Sequence, residues 1–182
     1  MSIPNLLSLA RLLSVPFVIW LLLSHLFTAA FWVFVAAGLT DAIDGYVAKR
    51  FNSRTVLGGY LDPVADKVML VGVYLTLGYL GHIPIWLAIL VVFRDLLIVG
   101  GVVLLHTATE PIGSVRPTPV SKLNTVVQIA LIAFVLARLG LGIDDLGVGE
   151  ALIYLTGATT LVSGLDYLTK FGRRVARSEG GN

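Results

Sequence analysis

Apolar residues run through this chain in long blocks, and polar residues gather in the gaps between them. Six blocks approach the roughly 20 residues that a helix needs to cross a hydrocarbon layer: 4–24, 28–48, 60–80, 84–106, 120–139 and 149–170. The gaps hold Ser24-His25, Asn52-Ser53 with Gly58-Gly59, Gly81-His82, the stretch 111–119 with a proline at each end, and 140–149 with a glycine at each end. Such residues turn the chain. No block alternates with the period of two that a half-buried strand shows. The pattern predicts an all-α, polytopic integral membrane protein with six transmembrane helices. Residues 1–182 read as one membrane domain, with a short basic tail over about 171–182. The start carries Pro4, Arg11 and Pro16 without a basic leader, so it reads as a first span and not as a cleaved signal.

Composition agrees. Of 182 residues 57% are hydrophobic and 13% charged, against about 25% charged in a soluble domain, and mean hydropathy is +0.90. Lipid must therefore solvate most of the surface. There is no cysteine, which excludes disulfides, thiolate metal sites and thiol nucleophiles. A net charge of +2 offers no surface for nucleic acid.

The placement of the cations says more than their sum. With six spans, both termini share a side with Arg11, Lys49, Arg50, Arg54, Arg116, Lys122, Lys170, Arg173, Arg174 and Arg177, ten in all. The opposite side has Arg138 alone, and Lys67 and Arg94 fall inside spans, completing thirteen. The excess of Lys and Arg on cytoplasmic loops predicts that both termini and the 49–59 connection are cytoplasmic. The localisation expected is an integral protein of a bacterial-type plasma (inner) membrane.

Against this oily background, Asp41, Asp44, Asp62 and Asp66 stand within 26 residues. The first pair is three apart near the end of the second span, the second four apart near the start of the third. Either spacing puts two side chains on one helix face. A lone carboxylate at a membrane boundary is usually just solvated. Four converging ones cannot all stay ionised unless cations neutralise them, and carboxylate oxygens are hard ligands suited to Mg²⁺ or Mn²⁺. Four negative charges balance two divalent ions, and a metal pair is a device for phosphoryl transfer. Gly58, four before Asp62, leaves room on that face. Asn5, Ser8, Arg11 and Ser14 form a polar strip on the first helix, and Lys49, Arg50 and Arg54 follow the first acidic pair. Such a site attracts a substrate that bears phosphates.

The arrangement Asp41-x2-Asp44-Gly45-x2-Ala48-Lys49-x8-Gly58-x3-Asp62-x3-Asp66 resembles the signature of the CDP-alcohol phosphotransferase family, whose core is six membrane helices. Seven fixed positions match; the departure is Lys49, where the family has Arg. The resemblance implies that Asp41, Asp44, Asp62 and Asp66 hold two divalent cations (Mg²⁺ or Mn²⁺) and that Asp66 also takes the acceptor's proton. It implies a CDP pocket lined by Gly45, Ala48, Lys49 and Gly58, with Asn5 and Arg11 beside it. CDP-diacylglycerol would enter sideways from the lipid, and the protein would be a homodimer.

The acceptor is read from weaker signals. The stretch IPNLLSLAR at 3–11 resembles the opening of the branch that contains phosphatidylglycerophosphate and cardiolipin synthases. The stretch FRDLLIVGGVV at 93–103 has Arg94 and no second cation, which disfavours a phosphomonoester acceptor, since that needs fixed cations. The stretch RPTPVSKLNTVVQ at 116–128 resembles cardiolipin synthases that use CDP-diacylglycerol. Arg94, Arg116, Lys122 and Asn124 are the acceptor-binding residues that this reading names. The expected activity is cardiolipin synthesis from CDP-diacylglycerol and phosphatidylglycerol, releasing CMP. The second reading is a phosphatidylglycerophosphate synthase using glycerol 3-phosphate. A cation-coupled transporter is a remote third, because the acidic residues avoid the midplane and no paired broken helices are visible.

Overall fold

Six helices form where the apolar blocks lie: α1 (Ile3–Leu23), α2 (Phe27–Phe51), α3 (Val56–Tyr79), α4 (Ile85–Ala108), α5 (Pro119–Leu141) and α6 (Val148–Glu179). The computed structural model describes the backbone of residues 3–51, 56–108 and 118–179, and side chains over 10–40, 67–100 and 118–170. No strand occurs among the described residues. Two helical stretches, Pro119–Leu141 and Val148–Lys170, are long and apolar enough to cross a membrane by length and composition. Shorter apolar stretches occupy Ala10–Leu23, Phe27–Thr40 and Lys67–Tyr79.

Helix ends follow local chemistry. Thr118 caps α5 by accepting from the Ser121 N–H, and Pro119 occupies the first turn, where its missing N–H costs nothing. Gly142 closes the same helix in the left-handed conformation and donates to the Arg138 carbonyl. The basic stretch after Lys170 continues α6 to Glu179. Its arginines, alanine and glutamate are helix formers, and no proline interrupts it.

The helices close a ring. α1 packs against α2 and α3, α3 against α4, α4 against α6, α6 against α5 and α5 against α2, while α3 and α5 also touch across the middle. The apolar core of Val18, Leu22, Val73, Leu77, Leu87 and Leu131 fills the end of the ring formed by the α1–α2 and α3–α4 turns. That end is the one far from the acidic stretch. There α2 starts almost on the backbone of α5: the Thr28 hydroxyl donates to the Gly140 carbonyl at 2.6 Å. A Cβ on Gly140 would lie 2.8 Å from the Thr28 backbone. Asp145 pairs with Arg138 and accepts the Gly149 N–H at the start of α6. In the turns, His82 packs edge-on to Phe27, which packs edge-on to His25. Burial first, then repulsion from Arg138 and His25, holds the His82 pKa below its usual value.

Candidate functional site

Asp41, Asp44, Gly45, Ala48 and Lys49 fall in the last part of α2, and Gly58, Asp62 and Asp66 in the first half of α3. α1, which carries Asn5 and Arg11, packs against both helices. The side chains of Asn5, Asp41, Asp44, Asp62, Asp66, Lys49 and Arg116 lie outside the described residues, as do Gly45, Ala48 and Gly58 in their surroundings. Among the described residues, no three His, Asp or Glu side chains gather as a metal site.

Arg11 is described, and it is buried, with 6% of its surface exposed. Ser14, one turn on, turns its hydroxyl back to the Arg11 carbonyl at 2.6 Å. The charge of α1 is thus held inside the ring and does not project into solvent.

Immediately after Asp66, the structure shows a network that joins four helices. Lys67 of α3 donates to Asp95 Oδ1 of α4 at 2.8 Å. The same oxygen accepts Arg94 Nη1 at 2.7 Å. Arg94 Nη2 donates to Ser121 Oγ of α5 at 2.6 Å and to Ser163 Oγ of α6 at 2.5 Å, and Nε also reaches Ser163 at 3.2 Å. Arg94 and Asp95 are 2% and 4% exposed. Ions this deep persist only when paired and hydrogen-bonded. Two cations on one carboxylate leave the cluster one positive charge, next in sequence to the acidic stretch.

Asn124 lies one turn beyond Ser121, fully buried, and its Oδ1 accepts both the Thr159 and Thr160 hydroxyls at 2.9 Å. Gln128 is one turn further, also fully buried, and its backbone carbonyl accepts the Tyr74 hydroxyl at 3.2 Å. Among the described residues, Asp95 Oδ2, Asn124 Nδ2 and both side-chain polar atoms of Gln128 are buried and meet no hydrogen-bond partner. A polar seam therefore runs along α5 and α6 from Arg94 toward the apolar core.

Of the residues assigned to the acceptor, the structure places Arg94 and Asn124 on this seam, both bonded to α6. Lys122 is exposed on α5. Asp95 pairs with Arg94 as their adjacency suggests. Lys67, Ser121, Ser163, Thr159 and Thr160 were given no role by the sequence. Lys67 and the Arg94–Asp95 pair are the charges inside the third and fourth spans, a signal that those spans meet. The hydroxyls of α6 carry no comparable signal.

The sequence profile of the CDP-alcohol phosphatidyltransferase family matches residues 1–162. The chain is 34% identical over 191 aligned positions to a rat protein named cardiolipin synthase (CMP-forming), covering 97% of this chain and 63% of that one. It is 33% identical to a cardiolipin synthase (CMP-forming) / mitochondrial hydrolase fusion protein of Schizosaccharomyces pombe, over 91% of this chain and 30% of that one. A probable phosphatidylglycerophosphate synthase of Mycobacterium tuberculosis is 32% identical over 93% of this chain and 81% of its own. The chain thus spans under two-thirds of the length of the two cardiolipin synthase relatives.

Proposed function

The chain belongs to the CDP-alcohol phosphatidyltransferase family, and from that membership we propose that it transfers a phosphatidyl group from CDP-diacylglycerol to phosphatidylglycerol, giving cardiolipin and CMP. The observation that carries the chemistry is the double acidic motif, Asp41-x2-Asp44 and Asp62-x3-Asp66, on consecutive helices that both pack against α1. The acceptor rests on the likeness to cardiolipin synthases across nearly the whole chain.

Four carboxylates are a donor set that fits Mg²⁺ or Mn²⁺. Asp41, Asp44, Asp62 and Asp66 would hold two such ions, which when bound offset the charge that grows on the diphosphate. Gly45, Ala48, Lys49 and Gly58 flank the CDP group, with Asn5 and Arg11 of α1 beside it. Asp66 takes the proton of the acceptor hydroxyl as its oxygen attacks the phosphorus on the lipid side. The bond from that phosphorus to the CMP oxygen breaks, and CMP leaves as a phosphate monoester. A base within hydrogen-bond reach of the hydroxyl is what this step requires. Arg116 and Lys122 hold the acceptor's phosphodiester at the mouth, with Arg94 and Asn124 behind them. The six helices span the membrane with both termini cytoplasmic, and the chain works as a homodimer.

The test is CMP release by the purified protein given CDP-diacylglycerol, Mg²⁺ or Mn²⁺, and one acceptor at a time. Release with phosphatidylglycerol is expected. Release with glycerol 3-phosphate alone overturns the acceptor and favours the phosphatidylglycerophosphate synthase reading, which the Mycobacterium relative supports. Asp66→Asn is expected to cut turnover by about 10²-fold or more, the contribution typical of a general base, with donor binding retained. Normal turnover in that variant removes Asp66 from the proton step.

A further inference from the structure

Lys67, the residue after Asp66, is tied to a neighbouring helix by its charge. Its Nζ meets Asp95 Oδ1 of α4 at 2.8 Å, and Arg94 holds the same oxygen at 2.7 Å. Arg94 is bonded in turn to Ser121 of α5 and Ser163 of α6. Lys67 thus anchors α3 to a point that three other helices hold in place.

The anchor fixes how α3 is turned about its own axis. At 100° per residue, position 66 lies about 100° round the helix from position 67, and position 62 about 140° round on the same side. Leu70 and Met69, at about 60° and 160° on that side, bracket both positions. Leu70 and Met69 face an open space that they share with Phe34 and Gly38 of α2. Positions 62 and 66 therefore fall in the sector that looks toward α2, whose later part carries Asp41 and Asp44. Among the described residues, α3 does not pack against α2, so this sector is held from elsewhere. On the far side a Cβ at Gly72 would come within 3.1 Å of Ile19 of α1. Tyr74, about 20° from Lys67 round the axis, donates to the Gln128 carbonyl of α5. Apolar contacts distinguish one rotation from another poorly when lipid is as apolar as the side chains. A buried ion pair does not slide. Side-chain tips lie about 5–6 Å from a helix axis, so a turn of about 20° shifts them about 2 Å. A misplacement of about 1 Å costs a catalytic site about 10²-fold in rate.

We propose that Lys67 is a positioning residue: bound to Asp95, it sets the rotation of α3 at which the Asp62–Asp66 pair joins the Asp41–Asp44 pair in one cation site. The inference rests on the transferase reading above and adds what keeps half of the acidic motif in register. A role through charge alone carries the opposite sign. Removing a positive charge draws cations into the site, whereas a turned helix releases them.

The purified protein is titrated with Mn²⁺ in the absence of donor, the free ion being followed by its electron paramagnetic resonance signal, and kcat is measured in parallel. Lys67→Met is expected to weaken Mn²⁺ binding and to lower kcat, each about tenfold or more, as a misplaced site does. Lys67→Arg keeps the pair with Asp95 and is expected to recover most of both. Gly140→Ala, which strains the opposite end of the ring, is the control for lost stability and is expected to keep both. Tighter Mn²⁺ binding in Lys67→Met overturns the positioning role in favour of charge. Unchanged binding and kcat in that variant, or equal losses in Gly140→Ala, overturn it as well. Each of these results leaves the transferase reading intact. Absence of both Mn²⁺ binding and CMP release in the unaltered chain overturns that reading and this inference with it.

Discussion

Asp95 Oδ1 accepts two cations from two helices, and that sharing fixes the order of damage expected at this cluster. Asp95→Asn leaves Lys67 and Arg94 without a counter-charge in a buried site, which costs about 3–5 kcal/mol for a broken buried pair. Lys67→Met removes the half-exposed partner and leaves the Arg94–Asp95 bond in place, so its cost is smaller. Thermal midpoints in detergent check this: Asp95→Asn is expected to fall well below Lys67→Met, and the reverse order would show that the carboxylate is not the hub. His82 gives a pH dependence. Its folded pKa is lowered, so the folded state binds fewer protons than the unfolded one and stability rises with pH. Stability is complete above the unfolded value of about 6.5 and is lost as pH falls from there toward the folded value. His82→Gln is therefore expected to flatten the dependence of the thermal midpoint between about pH 7.5 and 5. An undiminished slope in that variant would assign the pH dependence to another group.

Among the helices, the tightest contact is that between the start of α2 and the end of α5. A side chain at Gly140 would meet backbone atoms of Phe27 and Thr28, which cannot rotate away as a flexible side chain can. Gly140→Ala is expected to destabilise by about 1–3 kcal/mol, as overpacking does. Gly100→Ala, with open space around its Cβ, should be neutral or stabilising, since it removes backbone freedom from a helix interior. Comparing the two midpoints tests whether contact or helix propensity governs. The six helices were legible in the sequence because each apolar block has the length of a span and turn residues separate them. Their ends shift by a few residues, and α6 overruns its block to Glu179 because basic helix formers carry it on. The order of the ring was not legible. When lipid is as apolar as the core, hydrophobicity does not tell an inward face from an outward one, so nothing in α5 announces α2 and α6 as its neighbours. The acidic motif was legible from local spacing on two helices. In the Lys67–Asp95–Arg94 cluster only the adjacent Arg94–Asp95 pair was legible, since the other bonds join residues 27, 28 and 69 apart.

For the whole molecule, the ten-to-one division of cations predicts the orientation, and the tryptophans are placed as at an interface of either sidedness. Trp20, Trp32 and Trp86 are about half exposed and stand near the helix ends around the Arg138 side, where an interfacial aromatic belt belongs. The absence of cysteine makes the orientation directly measurable. In sealed inner-membrane vesicles whose cytoplasmic face is outward, a membrane-impermeant maleimide is expected to label Ser178→Cys readily. Asp144→Cys is expected to label only after the membrane is opened. The opposite pattern would invert the topology and put the acidic motif on the wrong side for a cytoplasmic nucleotide.

The reach of Arg94 across the ring has a consequence in time as well as in space. Its Ser163 partner is 69 residues further along the chain, on α6, which is made after the other five helices. Until α6 arrives, the Arg94 Nε lacks the hydroxyl that it meets in the finished fold, and one side of the guanidinium waits without its acceptor. Completion of the ring thus waits on the synthesis of α6. A chain halted before α6 keeps the Arg94–Asp95 pair of its fourth helix but leaves Arg94 Nε without the Ser163 hydroxyl.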